Sequence, residues 1–305
     1  MKKISNIDKT KAASILEKQI NLSLNIPLSD LELHPIRLVQ ASKSLIGLNL
    51  DKPNEKLIKF TSIYLESFNN PRYDFTLNSS DDLNPVVTIY DLENAFFNKD
   101  KELALRLFHQ LKLVSSEVHI LEYLIEISLK QSGKSFLSIW SLYRSILFLS
   151  NKDSNRFINL ATDIILSDDF EDTSISGQAI NINDAINYEL SFYSIDLYAH
   201  LLEAYNSDLI RLSKIRVLIT SFITRKFKNC KANKFNMNNE VFFPDLLISG
   251  RKELLQFLET KNNIGLNPDL IMLLDSIRAI FRFLDNQNHK IVCFHFENIL
   301  EDLNV

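Results

Sequence analysis

Glycine occurs at five positions in 305 residues, Gly47, Gly133, Gly177, Gly250 and Gly265, and no two of them are close together. No proline stands between Pro85 and Pro244. Both residues are well below ordinary usage. Phosphate-cradling loops and dinucleotide-binding turns need clustered glycines, because the backbone must turn tightly and approach the ligand closely. No such cluster exists, so a nucleotide cofactor is not expected. Leu, Ile, Phe, Ser, Asn and Lys fill the chain instead, in runs of helical period. The sequence predicts an all-α fold of antiparallel helical hairpins or a bundle, with no sheet beyond an incidental short pair.

Hydrophobic residues make up 46% of the chain and charged residues 24%, the balance of a globular protein rather than a disordered one. The net charge of −4 gives no global attraction to nucleic acid or to anionic membranes. The start, MKKISNIDKTKAAS, lacks the apolar segment of a secretory signal, and no run of about 18 apolar residues suggests a span. Cys230 and Cys293 have no metal-ligand spacing and read as ordinary thiols of a reducing cytoplasm. The expectation is a cytoplasmic chain with a protein partner and no membrane association.

Leu16, Ile20 and Leu24 mark a first helix, and Pro35 suits the first turn of the next. Further helices are expected over 54–68, from Thr88 or Asp91, from Ser116 to Lys130, over 135–149 and over 151–166. Gly133 is placed just past a helix end. The turn-rich stretch 69–85 reads as a surface connection. Residues 167–187, acidic and poor in large apolar side chains, read as a linker between an N-terminal half, 1–166, and a C-terminal half, 188–305. The second half has helical patterns at 188–206, 208–229, 251–260, 267–285 and 289–303, with Asn267 and Pro268 as an N-terminal signal. His34 lies three residues after Leu31 and His200 three after Leu197, a correspondence that suggests a duplication of the halves, with Trp140 falling opposite His295.

Asp196, His200 and Glu203 stand at i, i+4 and i+7 and share one helix face. A carboxylate–His–carboxylate stripe inside a bundle can hold non-haem iron or manganese, with His34 or the helix bearing His119, Glu122 and Glu126 as donors of further ligands. The simpler reading is a solvated stripe in which Asp196 and His200 form a surface pair. Glu126 and Lys130 have the spacing of a surface pair too, which argues for water on that face. DDFED, Asp168 to Asp172, matches an Asp-rich diphosphate-binding motif in form, but it falls where the helical pattern ends and suits an acidic linker better. Arg225, Lys226, Lys228, Lys231 and Lys234, with Phe227 and Phe235 among them, suit either phosphate backbones or the C-terminal end of a helix. The second is simpler, and nucleic acid is not expected. No spacing identifies a nucleophilic triad.

LHPIRLVQASKSL, SIYLESFNNPRYD and GKSFLSIWSLYRSIL, within the stretch from His34 to about Leu149, resemble helical modules of bacterial Rieske-associated and questin-oxidase-like proteins. The resemblance implies a redox setting and carries over one polar position, His34. The chain departs from the group after Phe136, where Leu137 replaces a histidine, and it has no Rieske Cys/His ligands.

Two classes of function follow. One is an interaction or scaffold protein built of helical hairpins. The other is an oxidase-like enzyme with a buried pocket in which His34 and His200 are catalytic and Asp196, His200 and Glu203 hold a metal. Convergence of His34 and His200 in one enclosure separates them.

Overall fold

The computed structural model describes residues 7–29, 34–68, 86–149, 154–174, 178–228, 230–231, 243–260 and 266–303. The fold is all-α. In chain order the helices are α1 Lys9–Ser23, α2 Pro35–Ile46, α3 Glu55–Glu66, α4 Ile89–Phe97, α5 Lys101–Lys112, α6 Glu117–Ser128, α7 Lys134–Ile146 and α8 Ser154–Leu166. They continue with α9 Phe192–Tyr205, α10 Leu212–Phe227, α11 Pro244–Ser249, α12 Glu253–Thr260, α13 Pro268–Phe283 and α14 Asn286–Asp302. Two short 3-10 helices, Ile182–Asn187 and Gly250–Lys252, complete the set. Among the described residues there is no strand, only an isolated bridge between Gln131 and Phe170. No described helix is long and apolar enough to cross a membrane. The expected connection at 69–85 lies outside the described residues, as do Lys234 and Phe235.

Local chemistry sets where the helices begin. Asn54, Asp100, Ser116 and Asn267 each accept a hydrogen bond from the backbone N–H three residues on. Thr88 and Asp91 close a reciprocal capping box. Gly133 corrects the sequence reading: it opens α7 instead of ending the helix before it, at φ 101°. A side chain there would also collide, since a Cβ would stand 2.5 Å from Cζ of Phe222.

At the centre α2, α7, α9 and α13 form a ring, with α13 packed on α9 and α2, and α7 closing the other side. Every residue of α13 from Leu270 to Phe281 is buried, the mark of a helix enclosed on all sides. α1 and α3 cover α2, α6 and α8 cover α7, and α14 backs α13. One continuous apolar core runs from Ala12 to Leu300.

The ring draws two helices from each side of the expected 167–187 boundary. The described part of that segment is docked on its neighbours. Asp168 is buried and accepts from the backbone N–H of Ser135 at 3.0 Å, capping the start of α7. The Glu171 N–H donates to the Lys130 carbonyl at 2.9 Å, and its carboxylate takes Arg225 and Lys226 of α10. Asp168 is therefore a helix cap, and Arg225 and Lys226 are partners of Glu171.

Candidate functional site

The Asp196–His200–Glu203 stripe is not solvated. All three residues are buried inside the ring, which corrects the simpler of the two sequence readings. The groups that make this burial tolerable come from other helices. Arg37 of α2 forms an ion pair with Asp196 Oδ2, and Ser276 of α13 donates its hydroxyl to Oδ1 at 2.8 Å. Glu203 Oε1 accepts from Arg278 of α13 at 3.0 Å. Its Oε2 accepts from Arg144 of α7 at 2.6 Å and from the Trp140 indole at 3.1 Å. Arg278 also reaches Asp275 at 2.5 Å. His200 stands between them, with Nε2 3.3 Å from Asp196 and 3.9 Å from Asp275, and with Nδ1 3.5 Å from Glu203.

Electrostatics follow from these pairings. Burial opposes the charge on Asp196, but Arg37, His200 and Ser276 hold its carboxyl below the usual range. Burial likewise opposes Glu203, and Arg144, His200 and Arg278 more than offset it, leaving the carboxyl well below its usual value. Burial pulls His200 down, yet its carboxylate partners raise it to about 9, so the ring is protonated at neutral pH. Metal coordination does not fit this donor set. Each of the three carboxylates is held by a guanidinium, and a divalent ion would have to displace buried arginines to reach them. Among the described residues no group of three His, Cys, Asp or Glu has an arrangement that would hold a metal.

His34 has a different task. It is the N-cap of α2: its Nδ1 accepts from the Ile36 N–H at 3.2 Å, so Nε2 carries the proton and donates to the Ile26 carbonyl at 3.0 Å. Burial lowers its pKa to about 4. Both nitrogens are committed to backbone, and the α2 residue that reaches the stripe is Arg37. Nor do the two histidines match as duplicated positions, since His34 precedes its helix and His200 lies in the middle of one.

The second stripe divides in the same way. His119 is exposed, while Glu122 and Glu126 are buried, which corrects the expectation of water on that face. Glu126 is gripped by Arg211 and by Lys214, and Lys130 pairs with Glu93 instead of Glu126. Glu122 Oε2 accepts from the backbone N–H of Ile210 at 3.0 Å and of Arg211 at 3.3 Å, fixing the α9–α10 turn against α6.

That turn forms one wall of a feature the sequence reading missed. Ile89 and Leu92 of α4, Leu111 of α5, Ile120 and Tyr123 of α6 and Ile210 line an apolar groove of about 240 Å³. Two of its apolar lining residues are exposed, Ile210 at 72% and Ile89 at 37%. The available signal was the apolar pair Leu209–Ile210 in a turn. Comparisons with family models, with curated proteins and with solved structures give no match.

Proposed function

We propose that this chain is a helical interaction protein that receives a large apolar side chain of a partner protein in the groove between α4, α5, α6 and the α9–α10 turn. The observation that carries the reading is an apolar groove whose lining includes the exposed Ile210 and Ile89. Burying such residues against a partner is favourable by about 25 cal/mol per Å² of apolar surface. Exposed large apolar side chains at a groove mark interaction sites. The volume of about 240 Å³ falls below the span of small-molecule pockets and suits one anchoring side chain, the arrangement seen at interface hot spots. Glu122 is fully engaged by the Ile210–Arg211 turn and Tyr143, so the groove presents no free carboxylate to repel an apolar anchor.

Selection of peptides displayed on phage tests this. The purified chain should enrich sequences sharing one large aliphatic or aromatic anchor. Their binding should be lost in Ile210→Glu and Ile89→Glu but kept in Val217→Glu, an exposed apolar residue outside the groove. Binding indifferent to Ile210 and Ile89 would remove the reading. The oxidase-like alternative keeps His200 as its one polar feature, but the arginine pairing of its neighbours and the capping role of His34 make it the weaker proposal.

A further inference from the structure

Four buried side chains, Glu203, Trp140, Tyr143 and Glu122, join the ion ring to the groove. Glu203 Oε2 accepts from the Trp140 indole at 3.1 Å. The Trp140 ring lies against that of Tyr143, with centroids 5.4 Å apart and planes 18° from parallel. The Tyr143 hydroxyl donates to Glu122 Oε1 at 3.3 Å. Burial and the Glu122 carboxylate push Tyr143 well above the usual phenol value, so its hydroxyl keeps the proton it donates. The other oxygen of Glu122 accepts from the backbone N–H groups of Ile210 and Arg211, in the turn that walls the groove. The path closes on itself. Glu203 lies in the last turn of α9, and the turn reached through α7 and α6 is the one that follows α9.

Among the described residues Glu122 forms no ion pair, and Tyr143 is the one side chain that donates to it. A buried carboxylate without a counter-cation depends on every donor it has. Water satisfies backbone donors on an ordinary exposed turn, yet here one internal carboxylate takes two of them. We propose that the ring and the groove are coupled sites: the ring's hold on Trp140, passed through Tyr143, sets how firmly Glu122 docks the α9–α10 turn and so the wall of the groove. The element with two states is the turn, docked on Glu122 or released from it. Arg211 also grips Glu126, so release from Glu122 loosens the turn without freeing it. Coupling is reciprocal, and a partner seated against Ile210 therefore tightens the hold on Glu122 and reaches the ring. That consequence rests on the groove as a docking site, whereas the link between ring and turn stands without it.

The Ile210 and Arg211 amides are the probe, because Glu122 is the acceptor for both and neither has a backbone partner. Hydrogen exchange of the full-length protein, resolved by NMR, reads them without any ligand. Trp140→Phe keeps a ring in the stack but removes the N–H that Glu203 holds. Tyr143→Phe removes the hydroxyl at Glu122. Each should speed exchange at the two amides by about threefold or more relative to the buried amides of α13, which report any general loss of stability. The double variant should exchange no faster than Tyr143→Phe, because both changes cut one path. Exchange unaltered by Trp140→Phe, a change shared equally by α13, or single effects that multiply in the double variant overturns the proposal. The measurement contains no groove ligand, so its failure is separate from a failure of the peptide selection. Coupled exchange in a protein that selects no peptide upholds the link between ring and turn and removes only the docking role of the groove.

Discussion

His34 shows how one buried side chain can tie stability to pH. It is neutral in the folded protein, with its pKa lowered to about 4 against an ordinary 6.5. Between those values the unfolded chain binds more protons, so stability falls as pH drops from 6.5 toward 4. The full effect is about 3 kcal/mol. Asn can still cap the helix but does not titrate. His34→Asn should therefore lose less stability than the wild type over that window, measured by urea unfolding at a series of pH values. An equal slope in both proteins would remove this account of His34. His200 has the opposite sign, since its folded value of about 9 means that its contribution is present below 6.5 and lost as pH rises through 9. Lys43, lowered to about 7, works against that loss, so the alkaline limb should be flatter than His200 alone would give. The sequence placed Asp196, His200 and Glu203 on one face but not that face's surroundings. Spacing reports only what shares a helix, whereas Arg37 and Arg144 lie 159 and 59 residues from the carboxylates they hold.

Among the elements, the helix starts were legible because a cap is a contact over three residues. Thr88, Ser116 and Asn267 are caps in the structure as in the sequence reading. Gly133 was misread because its requirement is partly tertiary. Its φ of 101° is a local need, but the approach of Phe222 depends on how α10 packs against the turn before α7. Gly133→Ala should cost more than about 2 kcal/mol, combining a left-handed penalty with a collision. Shortening the ring partner in Gly133→Ala/Phe222→Leu should recover the collision but not the backbone cost. A double variant no more stable than Gly133→Ala would show that the approach of Phe222 does not matter. The 244–249 helix had no expectation at all, because six residues show too little of a period to read.

For the whole molecule, the acidic composition of 167–187 suggested two halves, and composition alone cannot tell a free linker from a docked one. Asp168 capping α7 and Glu171 holding Arg225 are surface-type residues used as internal fastenings. The stronger tie is the ring itself: Glu203 of α9 is held by Arg144 of α7 from one side of the segment and by Arg278 of α13 from the other. Removing one member of a buried ion pair costs about 3–5 kcal/mol because its partner is left unmatched. Separating the halves would strand Arg37 and Arg144 on one fragment and Asp196 and Glu203 on the other. The chain should therefore unfold in one step. Trp140, the sole tryptophan and a donor to Glu203 across the segment, should report the same midpoint by fluorescence as the helices do by circular dichroism. Expressed alone, residues 188–305 should lack a cooperative transition. A stable, cooperatively melting fragment, or two separated midpoints in the full chain, would show that the halves fold independently and that the buried ion ring is a consequence of their docking, not its cause.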